Sequence, residues 1–356
     1  MIGVYIHIPF CKSRCIYCDF FSTTQLQRRE EYVQALIQEV KARILQPNEI
    51  QTIYFGGGTP SLLSAAQTSS ILSAMNSTNA VEITLEANPC DLTEEKLRNL
   101  RAIGINRLSI GIQSFRDEEL QLLGRRHNAQ EAREAVRLAK EAGFDNISID
   151  LMYSLPNQSM ADWQYNIHEA LQLGIQHISC YCLTYEPNTR LMKLVETNEI
   201  SPLDEDTENA MYDTLCGEMA ANGFVHYEVS NFALPNRQSI HNSSYWNDTP
   251  YIGLGAGAHS YNGTLRRWNM DDLSEYIKRI SSGEQYWEEE VLSNAQKEME
   301  HIMLGLRTKD GIEITDDLLN KAKPYLNRGQ LVITNNRLHA TQQGLHLLNR
   351  IIEALS

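Results

Sequence analysis

The chain has 356 residues, more than one compact core usually holds, so a large domain with a smaller companion is expected. Its 42% hydrophobic content is ordinary for a globular protein, and no apolar run approaches the roughly 20 residues of a membrane span. A net charge of −14, from 31 basic and 45 acidic residues, excludes the broad basic face that nucleic-acid binding needs.

In chain order the first element is a strand, GVYIHI, which runs into HIPFCKSRCIYCDFFS. No charged leader with a cleavage site precedes it, so a cytoplasmic location is expected. Cys11, Cys15 and Cys18 are three of seven cysteines and fall within one short stretch. That bunching suits metal binding in a reducing compartment better than a disulfide framework. Thiolates delivered from one loop are the standard ligands of an iron–sulfur cluster. Zinc would want a fourth ligand close by, yet Phe20 stands two residues after Cys18 and His7 lies upstream within the strand. Three thiolates leave one iron of a four-iron cluster open to an exogenous chelate.

The next strands, QTIYFG, VEITLEA, RLSIGI, NISIDLMY and HISCYCLTY, alternate with helix-period segments such as EEYVQALIQEVKARIL, TEEKLRNLRAIG and AQEAREAVRLAKEAGF. The alternation predicts βαβ units with right-handed crossovers, hence an α/β fold and a partial (β/α)6 TIM-like barrel. Chemistry in such a barrel gathers at the C-terminal ends of the strands. There the sequence places Gly56-Gly57-Gly58-Thr59-Pro60, Glu86-Ala87-Asn88-Pro89 and Gln113-Ser114-Phe115, with Asp150 on the fifth strand. The glycines either let backbone approach a ligand or make a tight turn. Glu86 can face an ammonium or cap a turn, and Arg125 or Arg126 can fork onto a carboxylate. Gln113 and Asp150, on neighbouring strands, can together grip two ribose hydroxyls. Cys180 and Cys182 share one side of the sixth strand and, like Cys90 and Cys216, read as buried thiols.

Beyond residue 230 the composition turns to Asn, Ser, Gly and aromatics, which predicts a long structured loop region. A helix follows in NAQKEMEHIMLGLRT, then a hairpin turned at Asn335-Asn336 and a helix capped by Thr341. The expected division is a barrel over 1–232, a connecting loop region over 233–290, and a small α+β winged-helix-like domain over 291–356 with a packing role.

The cysteine triad resembles the signature of the radical S-adenosylmethionine (SAM) superfamily. The resemblance implies a [4Fe-4S] cluster whose open iron takes the amino and carboxylate groups of SAM. It assigns Gly57, Gly58, Thr59 and Glu86 to the methionyl ammonium, and Gln113 with Asp150 to the ribose. It also prefers Arg125 to Arg126 for the carboxylate. Tyr5 and Tyr17 fall to the methionyl and adenine ends, although both read equally as core aromatics.

A closer likeness runs along nearly the whole chain. YIHIPFC, FGGGTPS, EANP, SIGIQSF, DLMYSLPNQ, HNSSYW and GAGAHSY resemble the oxygen-independent coproporphyrinogen oxidase group. The oxidases of that group carry a fourth cysteine two positions after the third, whereas its heme-chaperone branch has the Phe found at position 20. The start of the sequence on the first strand, without the oxidases' N-terminal extension, is expected to point the same way. His241-Asn242-Ser243-Ser244-Tyr245-Trp246 matches the chaperone pattern H-N-x-x-Y-W, so the resemblance makes His241 the heme ligand candidate. A polar loop stapled by two aromatics is the alternative. His259 is a second candidate ligand, and His7 is expected to steady the cluster loop.

The implied function is a heme chaperone that binds heme, one cluster and SAM and passes heme to a respiratory or other heme protein. Cluster-dependent homodimerisation is implied too; nucleic-acid binding and membrane insertion are not expected. The rivals are oxidative decarboxylation of coproporphyrinogen III and a radical SAM methyltransferase.

Overall fold

Six parallel strands form the centre of the molecule in a computed structural model that describes residues 2–356. They are β1 (Ile2–Ile8), β2 (Ile50–Gly57), β3 (Glu82–Ala87), β4 (Arg107–Gln113), β5 (Ile147–Tyr153) and β6 (His177–Cys182), side by side in chain order. Alternate residues go to opposite faces. Val4, Ile6, Ile53, Phe55, Leu85, Leu108, Ile149 and Ile178 are buried beneath the helices. The other face carries Tyr5, Tyr54, Thr84, Arg107, Ser109, Asp150 and Ser179, which the registers Tyr5↔Tyr54, Tyr54↔Thr84, Thr84↔Arg107 and Asp150↔Ser179 bring together. A parallel strand covered on both faces usually reads as a continuous apolar run. Here the concave face is polar, which suits a lumen that receives a ligand.

The crossover helices close the outer layer. Arg29–Arg43 buries Tyr32, Val33, Leu36 and Val40 at helical spacing. Ala129–Glu141 starts from an Asn128 capping box and packs on the sheet through small residues, Ala132, Ala135 and Ala139.

The segment expected as a connecting loop region carries strands instead. Beyond β6 the sheet continues with β7 (Val225–Glu228) and β8 (Asn231–Ala233), in the order β6-β8-β7. Beyond β1 it continues with β9 (Tyr251–Leu254), β10 (His259–Tyr261), β11 (Leu265–Asn269) and β12 (Trp287–Val291). Only β9 in that extension is parallel to its β1 neighbour; the rest pair antiparallel. The partial barrel is thereby widened into a sheet of 12 strands.

A second core, with Ile302, Leu306, Leu318, Leu338, Ile351 and Leu355, defines a C-terminal unit. Its sheet combines β13 (Ile312–Glu313), β14 (Leu331–Thr334) and β15 (Arg337–Ala340) in the order β13-β15-β14. The β14–β15 hairpin turns at Asn335 and Asn336, both at positive φ, and Thr341 caps the following helix. The unit is stitched to the barrel edge by Val229 N–H to Arg307 O (2.8 Å) and Lys309 N–H to Tyr227 O (3.0 Å).

Candidate cofactor site at the barrel rim

The cysteine loop leaves the end of β1 and is closed at its neck. The N–H of Cys11 donates to Thr23 O (2.9 Å) and that of Thr23 to Pro9 O (2.6 Å). Between Cys15 and Cys18, Ile16 drops into an apolar cluster with Leu123, Met152, Leu155, Leu183 and Leu191, which pins the loop to the rim. His7 completes the support: one ring nitrogen meets Phe21 O at 2.9 Å and the other the Tyr5 hydroxyl at 3.0 Å. Lys12 pairs with buried Asp91 at 2.9 Å, and Thr59 Oγ1 stands 3.5 Å from Cys11 Sγ. Burial pushes the Cys11 and Cys18 thiols up, so metal binding there must displace protons. Among the described residues no three His, Cys, Asp or Glu side chains converge on a point that would hold a single ion. A cubane does not need that convergence, since each thiolate takes a different iron.

The glycine run is crowded from within. A Cβ on Gly56 would lie 2.8 Å from the Tyr5 ring, and one on Gly58 would meet the backbone of Pro9 and Phe10 at 2.9 Å. Gly57 has φ +107°, and a Cβ there would fall 2.5 Å from the His7 imidazole. Internal packing alone therefore requires glycine at these positions. Beside them, Glu86 accepts from the Gly57 N–H at 3.1 Å and from the Tyr54 hydroxyl at 2.8 Å. Burial raises its pKa to about 7 against those two donors. Arg107 acts on Glu86 only at a distance, and a buried carboxyl with no direct ion pair is suited to an incoming ammonium.

Arg125 and Arg126 part company. Arg126 forks onto Asp91 at 2.8 and 3.3 Å, a pairing already held by the protein. Arg125 faces the Cys15 thiol and the Tyr17 hydroxyl, donates to Gly111 O, and keeps a buried Nε without a partner. On β4, Gln113 sits at φ +73° beside an irregularity in the β4–β5 ladder, a strained position for a residue with a side chain. Asp150, one strand over, accepts from Ser109 at 3.2 Å, and burial raises its pKa. Cys180 and Cys182 belong to the core and its margin, as buried thiols should.

The HNSSYW segment forms a short helix, Ile240–Tyr245, whose His241 is wholly buried. One ring nitrogen meets Thr52 Oγ1 and the other the Tyr245 hydroxyl, each at 2.8 Å. Its ring stacks on Tyr54 with centroids 5.0 Å apart, and burial lowers its pKa to about 3. His241 borders a cavity of about 540 Å³, whereas Tyr245 lines both that cavity and an adjoining one of about 1320 Å³; the two also share Tyr5, Phe20 and Leu304. Phe20 is 73% exposed at their junction.

Several participants escaped the sequence reading. Tyr54 and Ser109 position Glu86 and Asp150, and Asp91 holds Lys12 and Arg126. Strand alternation from Glu86 and Asp150 could have found Tyr54 and Ser109. Nothing local marks Asp91.

Comparison with known proteins accords with this geometry. Residues 5–170 match the model of the radical SAM superfamily. The chain is 36% identical to heme chaperone HemW of Lactococcus lactis, over 99% of its own length and 96% of that protein. It is 38% identical to heme chaperone HemW of Bacillus subtilis, over 99% of both chains. Coproporphyrinogen III oxidase HemN of Escherichia coli superposes with a TM-score of 0.84 at 21% identity, covering 99% of this chain and 89% of that one, a likeness of fold. The chain belongs to the radical SAM superfamily and, within it, to the HemW family.

Proposed function

We propose that this protein is a heme chaperone that binds heme, one [4Fe-4S] cluster and SAM, and transfers heme to an acceptor protein. Full-length similarity to two proteins named heme chaperone HemW carries the reading. Phe20, where the oxidases have a further thiol, agrees with it. Cys11, Cys15 and Cys18 would hold the cluster. Glu86 would meet the SAM ammonium, Arg125 its carboxylate, and Gln113 with Asp150 its ribose, with Tyr5 and Tyr17 beside the methionyl and adenine ends. Gly57, Gly58 and Thr59 would shape the cradle. The unpartnered Arg125 Nε and the strained Gln113 support that fit. When bound, the cluster would supply an electron to the sulfonium.

The acceptor is a heme protein. Seven free cysteines agree with a reducing, cytoplasmic setting, and the net charge of −14 with the absence of a nucleic-acid partner. No helix of the described residues is long and apolar enough to cross a membrane. Cluster-dependent homodimerisation belongs to the same reading; light scattering before and after reconstitution measures it.

The test uses anaerobically reconstituted protein. Hemin titration should give a saturable absorbance change, and coproporphyrinogen incubated with SAM and a reductant should persist. Its conversion to protoporphyrinogen would replace the chaperone reading by the oxidase one.

A further inference from the structure

The larger cavity lies between the cysteine loop and the strands β9–β12, and at about 1320 Å³ it exceeds the ~300–1,000 Å³ of common ligand pockets. Its walls are aromatic: Tyr5, Phe20, Tyr245, Tyr261, Trp268 and Trp287 face it. Such walls match a flat macrocycle. His259 stands among them, exposed, its ring 6.2 Å from that of Trp268 across the β10–β11 pair and tilted from it by 24°. Among the described residues neither of its ring nitrogens has a hydrogen-bond partner, whereas both nitrogens of His241 are taken.

The fold fixes where His259 points. Its neighbour Ser260 is buried and bonded to Arg43 and to the Gly253 N–H, so alternation sends His259 the other way, toward the cavity. The turn before it is held by Glu39, which accepts from the Gly255 N–H at 2.7 Å and from Asn269 at 2.8 Å. Gly257, at φ +74°, brings that turn against the Phe21 ring of the cysteine loop; a Cβ there would lie 3.3 Å away. Burial, then Arg266, lowers the His259 pKa, which keeps the imidazole neutral and its lone pair free at neutral pH.

We infer that His259 is the axial ligand of the bound heme iron, and that His241 acts by holding Tyr245 against the macrocycle. The inference rests on the chaperone reading and deepens it. Carboxylates from Asp19 to Glu300 outnumber Arg266 and Arg279 along the wall, so recognition runs through the macrocycle's face and its iron, not its propionates.

Hemin and metal-free protoporphyrin are titrated into the full-length reconstituted protein and its His259→Ala and His241→Ala variants, with absorbance and resonance Raman as readouts. Wild type should show an imidazole-ligated spectrum. His259→Ala should lose it, bind hemin roughly tenfold or more weakly, and regain the spectrum with added imidazole, while its affinity for metal-free protoporphyrin stays unchanged. His241→Ala should keep the imidazole-ligated spectrum. An unaltered spectrum in His259→Ala, with wild-type hemin binding intact, overturns this assignment alone. Failure of the wild type to take up hemin overturns the chaperone reading as well.

Discussion

Arg125 Nη1 lies 3.4 Å from the Cys15 sulfur, while Arg126, the next residue, forks onto Asp91. Two arginines alike on paper thus have different tasks. Arg125→Ala should weaken SAM binding, read by calorimetry, with little change in melting. Arg126→Ala should cost about 1–3 kcal/mol of stability by leaving buried Asp91 with only Lys12 and the Ser61 hydroxyl. Equal losses of SAM affinity in both variants, with unchanged melting, would remove the distinction.

Glu86 predicts a pH dependence. With a pKa near 7 in the ligand-free protein it is protonated in mild acid, whereas an ammonium ligand requires it ionised. SAM affinity should therefore climb as pH rises through 7 and level off above it, and Glu86→Gln should flatten the slope. Because the folded value is raised from 4.5, the group contributes stability below about 4.5 that is lost as pH rises through about 7. Melting curves of wild type and Glu86→Gln should diverge across that window. Parallel curves would show that Glu86 ionises in the folded protein as it does in water.

Substituting Ser for Cys11, Cys15 or Cys18 should abolish the iron content and brown colour of reconstituted protein. Cys90→Ser should leave both intact, since Cys90 is held by Asn88 in its own turn. Equal bleaching in all four variants would break the ligand assignment.

Gly57→Ala tests whether the glycine run answers to packing. A Cβ 2.5 Å from the His7 ring, on a backbone at φ +107°, should cost roughly 1–3 kcal/mol and loosen the cysteine loop through His7. Iron retention and melting temperature should fall together. A stable variant that has lost only SAM affinity would assign the glycines to the ligand instead.

The six central strands could be read from the sequence because each carries β-branched residues on its helix side, such as Ile53, Ile110 and Ile149, between turn residues. Cys11, Cys15 and Cys18 could be read because their spacing is local. β9 to β12 could not. They are three to five residues long, broken by Gly255, Gly257 and Gly263, and only the pairing of β9 onto β1, and of β10, β11 and β12 in turn onto it, makes them strands. The environment of His241 was hidden for a related reason. Its partners Thr52 and Glu82 lie far away in sequence, and Glu82 receives the His241 N–H at 2.9 Å. The need for Gly57 was likewise invisible until the β1–β2 register set His7 beside Gly56.

The two rims of the large sheet are finished differently. Residues 307–309 cover β7 with backbone bonds, so that margin is sealed by the C-terminal unit. The opposite margin, β12, is bare but carries Glu288, Glu289 and Glu290 in succession, all open to solvent. A second molecule laid alongside β12 would set matching carboxylates face to face, and strand addition there is disfavoured. Pairing of whole molecules is therefore expected to use another surface, and growth of the sheet into a fibre is opposed at both margins.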